Sequence, residues 1–258
     1  AQAVAETLAA LVQVQLARRG ARMPFGNWVF VSDLRTGAFS GGSGEEALLM
    51  AGAAQMARYY DLPGSIAAGM TDSKAPDYQA GMEKGLTLAL AGLSGGNMVY
   101  EAAGMMSSLM ATSFEAMVID NELIGSVQRT LRGIEVDDAT LSYDVIADVT
   151  LNGPNHFLGH RQTLLRMESE FLYPAVADRR SLALWEAGGR DGIIERARAV
   201  VTSVLGTHFP SFAGEEADES LRRRFSLGLP RSAMSAAGTR WNRTPERRRA
   251  GADRRSGL

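Results

Sequence analysis

The sequence predicts an α/β fold built on a parallel sheet. Strand-like runs begin near residues 23, 62 and 97, so they are separated by 39 and 35 residues, the length of a βα unit. Between them lie stretches with the 3.6-residue apolar periodicity of helices, joined by short connections. No GxGxxG follows any of the runs, which counts against a dinucleotide-binding sheet. An open doubly wound sheet and part of an eight-fold barrel both fit this pattern.

Each element has a local reason. Val4, Leu8, Leu11, Val12 and Gln15 fall on one helical face. Residues 23–31 form the first strand candidate, with Pro24 near its start and aromatics within it. Ser43 followed by Glu46 predicts a capping box opening a helix through about residue 59. A strand is expected over 62–69, and Pro76 suits the first position of the next helix. The third strand is expected over 97–104, and Thr112 with Glu115 caps a helix through about residue 131. From 137 the pattern is helical, over 138–149, about 160–169 and 191–205. Three regions follow: βα units over 1–136, a helical section over 137–230 packed on them, and a tail over 231–258.

Composition bounds the function. Hydrophobic residues at 45% and charged residues at 22% suit a globular domain, and no apolar run reaches the roughly 18 residues of a membrane span. Glu6 and Gln13 interrupt the apolar core a signal peptide would need. Without cysteine there is no disulfide and no thiolate metal site, which fits a cytoplasmic protein. The net charge of -2 hides an asymmetry: 231–258 holds eight arginines against Glu246 and Asp253, leaving -8 for the rest. That tail lacks apolar periodicity and is expected to be disordered. With no folded nucleic-acid motif beside it, a solvated terminus is preferred over a nucleic-acid arm.

In parallel α/β folds, working groups collect in loops after the C-terminal ends of strands. Here those loops hold Ser32, Asp33, Leu34, Arg35, Thr36 and Gly37; Thr71, Asp72, Ser73 and Lys74; and Gly104 through Ser108. The first two combine an acid, a base and a hydroxyl, which can orient a polar substrate or bind an anion. The same residues also suit helix caps beside a solvated base, and the local pattern leaves both readings open. Glu101 is expected inside the third strand, facing either the sheet interior, where it could steady a cation or move a proton, or solvent. On the helix after Thr112, Asp120 and Asn121 share the arc of Phe114, Met117, Val118, Ile124, Val127 and Leu131, so they should tie the helix to a loop. His156 and His160 have metal-ligand spacing, but Gly153 and Pro154 disfavour a helix there and no HExxH is present, so no metal is expected. Met105, Met106, Met110 and Met117 read as core packing.

Several stretches, in one order, carry a resemblance: DLRTGAFSGGSGEEALL, GMTDSKAPDYQAGMEKGLT, AAGMMSSLMATSFEAMVIDNELIG, LRGIEVDDATL, NHFLGHRQTL and SLALWEAGGRD. Together they resemble the trimethylamine methyltransferase family. The resemblance implies a TIM-barrel type of α/β fold. The three βα units here stand against about eight in a barrel, so the expectation is the C-terminal part of the barrel plus C-terminal helices, without the barrel's N-terminal part. It implies methyl transfer from a methylated amine to a cobalt corrinoid (cobalamin) carried by a separate corrinoid protein, with no cofactor bound directly, in the cytoplasm and in a methanogenesis-related setting. Because no nonstandard residue is written, the chain is similar to the glycine betaine methyltransferase branch rather than the pyrrolysine branch. The loop at Gly104 and Met105 is where the pyrrolysine position would fall.

From the resemblance, Glu101, Asp72 and Lys74 are expected to be catalytic. Asp33, Arg35, Phe39, Ser73, Tyr100, Met105 and His156 are expected to bind substrate, with Trp28, Phe39 and Tyr100 as the rings around a cation. The implied partners are a corrinoid protein, the methylated amine and further copies of the chain, with no membrane and no nucleic acid. The alternative is a non-catalytic remnant of a barrel, acting as an interaction or assembly module that hides its open sheet edge.

Overall fold

The computed structural model describes residues 1–209, 213–228 and 230–234; the arginine-rich stretch from 235 onward lies outside the described residues. Packing divides the chain into two units, Ala1–Ile194 and Glu195–Leu258.

In the first unit, helix α1 (Gln2–Ala17) precedes strand β1 (Phe25–Gly26), helix α2 (Gly44–Tyr59), strand β2 (Gly64–Ala67), helix α3 (Tyr78–Leu93) and strand β3 (Met98–Tyr100). The strands form a parallel sheet in the order β1-β2-β3, with Phe25 opposite Gly64 and Ile66 opposite Val99. The fold is therefore a helix-rich α/β arrangement on a small parallel sheet. Every residue of the central strand β2 is buried. Ala47, Ala53, Ala54 and Ala57 line the buried face of α2, and their small side chains let that helix approach β2 closely. Met50, Ile66, Met70 and Leu88 fill the remaining space of the core. Fully burying a side chain such as Ile66 stabilises the fold by about 1.5–3 kcal/mol.

The strands are shorter than the sequence predicts. Pro63, which has no N–H, precedes β2, and Gly69 after it adopts φ +84. A Cβ at Gly69 would lie 2.7 Å from Ala102 O, so this glycine permits both the turn and the close approach. β1 pairs with β2 only at Phe25 and Gly26. The later part of the expected 23–31 strand folds back instead: Ser40 N–H donates to Val31 O, and Asp33 N–H donates to Ala38 O.

Past β3, Met105–Met106 (β4) and Ala111–Thr112 (β5) make a short antiparallel pair that the sequence did not signal. Helix α4 (Phe114–Leu131) follows and packs on α3. Its cap is Ser113, which accepts from Ala116 N–H, rather than Thr112, whose backbone is engaged in β5. Pro76 likewise lies outside α3, because Asp77 takes the cap and accepts from Ala80 N–H.

The expected helix over 138–149 is two, α5 (Asp138–Leu141) and α6 (Tyr143–Leu151), broken at Ser142 with φ 56. Helix α7 (Arg161–Glu170) starts at His160, whose Nδ1 accepts from Gln162 N–H, so this histidine serves as a cap. A short α8 (Leu182–Ala187) occupies the connector, and α9 (Ile193–Thr207) begins at the boundary. In the second unit, α10 (Glu215–Arg224) presents Asp218, whose carboxylate accepts from Arg222 and Arg231. No helix among the described residues is long and apolar enough to cross a membrane.

Candidate functional site

Three loops leave the C-terminal ends of the parallel strands: residues 27–43 after β1, 68–77 after β2 and 101–113 after β3. Asp72 joins them. One of its carboxylate oxygens accepts from Ser40 Oγ at 2.8 Å; the other accepts from Gly41 N–H at 3.1 Å and Ser108 Oγ at 2.8 Å. Ser107 and Ser108 also donate their N–H groups to Ser73 O and Thr71 O. The chain there is strained: Ser107, Ser108 and Leu109 take φ of 52, 54 and 68 in succession. Glu101 joins them at φ 63. Such conformations cost about 1–3 kcal/mol each for non-glycine residues and persist where surrounding contacts over-determine them.

Two further acids anchor this arrangement. Glu83 on α3 accepts from Thr71 Oγ1, from Asp72 N–H at 2.8 Å and from Gln79 Nε2 at 2.8 Å, which fixes the loop that carries Asp72. Glu46, in the first turn of α2, is fully buried, and neither of its carboxylate oxygens has a partner at ordinary hydrogen-bond geometry among the described residues. The expected capping box is thus half formed: Ser43 Oγ accepts from Glu46 N–H, while the Glu46 carboxyl points into the interior instead of back to the cap. Burial pushes that carboxyl up to about 7; the Val31 N–H offsets part of the rise, and the nearby Asp72 charge adds to it.

The aromatic side chains form a row beside the loops. Tyr100 and Trp28 have ring centroids 5.0 Å apart, Trp28 and Phe30 6.2 Å, and Phe30 and Phe39 4.9 Å. Phe39 precedes Ser40, so the row ends next to the group that binds Asp72. Trp28 and Phe39 also pack against the core cluster, as does Met105.

The structure brings most of the expected residues to these loops, in differing situations. Asp72 is central. Lys74 is exposed and its Nζ donates to Asp72 O at 2.6 Å, so it braces its own loop. Ser73 is buried, with Oγ 2.8 Å from Asp77 Oδ1. Glu101 is not inside β3: the strand ends at Tyr100, and Glu101 is the first residue beyond it, half-buried at a bend. Asp33 and Arg35 pair within one turn, with Arg35 Nε 3.0 Å from Asp33 Oδ1; these bonds hold the Asp33 carboxyl down at about 2. His156 is not brought there by any described hydrogen bond or ion pair; it lies exposed between α6 and α7.

Asp120 behaves as the helix pattern predicts, tying α4 to a loop through Gly104 N–H at 2.7 Å; Asn121 instead faces solvent. Ser40, Glu83 and Phe30 were not singled out in the sequence, whereas Glu46 was read as part of a capping box and Ser108 as part of a strand-end loop. A signal existed for Glu83, since Gln79, Glu83 and Thr87 make a polar stripe at helical spacing. Among the described residues, no group of three or more His, Asp or Glu side chains is placed to hold a metal ion.

Parallel βα units whose strand-end loops carry a hydrogen-bonded carboxylate beside a row of aromatics define an α/β protein with its polar centre at the C-terminal edge of the sheet. Comparison with known proteins gives the family: the model described as trimethylamine methyltransferase (MTTB) matches residues 1–226, and the chain belongs to that family. It is 34% identical over 218 residues to a glycine betaine methyltransferase of Desulfitobacterium hafniense (strain Y51), covering 84% of this chain and 45% of that protein. It is 37% identical over 206 residues to the trimethylamine methyltransferase MttB of Methanosarcina thermophila, covering 79% of this chain and 41% of that one. A trimethylamine methyltransferase MttB of Desulfitobacterium hafniense (strain DSM 10664 / DCB-2) is 34% identical over 217 residues, with 84% and 43% covered. The chain thus spans less than half the length of these curated relatives.

Proposed function

We propose that this chain takes part in methyl transfer from a methylated amine, quaternary by preference, to the cobalt of a corrinoid carried by a separate protein. In this reading the three βα units are part of an eight-fold barrel, and the loops joined by Asp72 are part of its active-site mouth. The observation that carries the reading is the juxtaposition of the Asp72 carboxylate, bonded by Ser40, Gly41 and Ser108, with the ring row from Tyr100 to Phe39. Membership of a family whose relatives are named for trimethylamine and glycine betaine supports it.

A quaternary ammonium has no lone pair, so its C–N bonding pair returns to nitrogen as the methyl passes to the nucleophile that the corrinoid supplies. The chain's own residues bind and orient. Ring faces attract an alkylated cation without demanding hydrogen bonds from it, by about 0.5–2 kcal/mol each. Tyr100 and Phe30 remain partly exposed and free to do so. Asp72 and Glu101 supply negative charge near the cation, and Lys74, donating to Asp72 O, holds the loop in register. Ser73, Met105, Asp33 and Arg35 shape the rim.

The test is to mix the chain with a corrinoid protein and trimethylamine, glycine betaine or carnitine, and follow methyl-corrinoid formation by absorbance. Transfer from a methylated amine is expected. Failure with every donor, from a chain that folds and binds the corrinoid protein, would refute the reading.

A further inference from the structure

Glu46 is a fully buried ionisable side chain near the strand-end loops that the proposed chemistry leaves unused. Neither of its oxygens has a partner at ordinary hydrogen-bond geometry, although the Val31 N–H bears on the carboxyl more weakly. A buried polar group without a hydrogen bond is costly, and a buried lone charge far more so, so such a group calls for a function or a change of protonation. Its surroundings point to the second. Ser43, the cap of its helix, donates Oγ–H to Ser40 O, and Ser40 donates to Asp72. Glu46 N–H donates to Ser43 Oγ, so the backbone that carries Glu46 is three hydrogen bonds from the carboxylate that joins the loops.

We propose that Glu46 is a positioning residue for Asp72: carrying a proton, it leaves the bonds from Ser40, Gly41 and Ser108 intact, and losing the proton loosens them. The charges of Asp72 and an ionised Glu46 oppose each other, and the neutral form of Glu46 removes that repulsion. This rests on the reading of the strand-end loops as the active-site mouth, but its test does not depend on turnover.

Several of the other charged groups around Glu46 are already engaged. Asp33 is paired with Arg35, and Lys84 with Asp120. Lys74 donates to Asp72 O, and Glu83 accepts from Thr71, Asp72 and Gln79. Glu45, beside it on α2, is exposed, and Glu101 sits past β3. Asp72 is the carboxylate whose charge bears on Glu46.

The test is backbone amide hydrogen exchange on the whole chain, corrected for intrinsic rates, between about pH 5.5 and 8.5, read at Gly41, whose N–H donates to Asp72. The wild type is expected to lose protection by roughly tenfold, the equivalent of one pKa unit of coupling, with a midpoint near 7. Glu46→Gln, permanently neutral, is expected to keep the protected value throughout. Protection that is flat in the wild type, or falls equally in Glu46→Gln, overturns the proposal. Carboxyl 13C titration of the wild type is the second measurement, should the variant not fold. A Glu46 carbon titrating near neutrality, with the Gly41 amide shift following it, supports the proposal; titration at the ordinary value of 4.5 overturns it.

Discussion

Lys84 and Asp120 form an ion pair, Nζ to Oδ2 at 2.7 Å, with their side chains only 2% and 3% exposed. The pair reaches both flanking loops: Lys84 also donates to Gly69 O at 2.8 Å, and Asp120 also accepts from Gly104 N–H at 2.7 Å. Helices α3 and α4 are thereby clamped to the chain on either side of the Asp72 centre. Removing one partner leaves the other charged and dry, so Asp120→Ala should cost about 3–5 kcal/mol in a urea melt. The double variant Lys84→Met, Asp120→Leu should recover much of that loss, because the desolvation cost disappears with the charges.

The cap of α3 separates structure from site. Asp77, whose carboxyl is held below its ordinary range by Ala80 N–H and then by Ser73 Oγ, performs the capping that the sequence pattern also allowed for Asp72. Asp77→Ala should therefore lower the melting temperature, as loss of an N-cap does. Gly41 amide protection should change little, because Asp72 and its three donors are untouched.

Much of this was legible in the sequence, and what was not has a common cause. Phe25, Ile66 and Val99 fall inside the expected strand runs because aromatic and β-branched residues suit a pleated surface. Strand length was not legible, because it depends on pairings elsewhere in the chain: past Gly26 the chain leaves β2, although Ile66 and Ala67 still continue that strand, and Val31 and Asp33 bond Ser40 and Ala38 instead. The same limit applies to Glu46. The spacing from Ser43 correctly marks the start of α2, yet the fate of the carboxyl is decided by loops whose residues lie far along the chain. Asp72 and Lys74 could be located from the strand-end rule. The donors Ser40 and Ser108 stand 32 and 36 residues from Asp72, and no local pattern reports such pairings.

Glu122 makes a comparable long-range tie. Its carboxylate accepts the N–H groups of Ala175, Val176 and Ala177, which fastens the connector before α8 to α4. Glu122→Ala should destabilise by about 1–3 kcal/mol. Limited proteolysis should then cut first within 172–181.

Glu46 gives the stability a specific pH dependence. Its folded value of about 7 lies above the ordinary 4.5, so the folded protein holds the proton more tightly than the unfolded chain does. That contribution is fully present below about 4.5 and is lost as pH rises through about 7, a change on the order of 2 kcal/mol. Asp33, Asp77, Asp137 and Asp218 act with the opposite sign, losing stability as pH falls, so the comparison must be against Glu46→Gln. Urea-melt stabilities of wild type minus Glu46→Gln should decline from pH 5 and level off above about 7; a constant difference would show that Glu46 titrates alike in both states.

The most direct measurement is methyl-corrinoid formation by the chain and by Asp72→Ala, side by side, with trimethylamine and glycine betaine as donors and the melting temperature of each recorded. The account predicts transfer by the wild type and a loss of roughly 100-fold in the variant, the cost of misplacing a site's groups by about an ångström, at a temperature where both are folded, since losing the bonds from Ser40, Gly41 and Ser108 also lowers the variant's melting temperature. Equal rates from the two folded proteins would contradict the assignment of the Asp72 centre to methyl transfer.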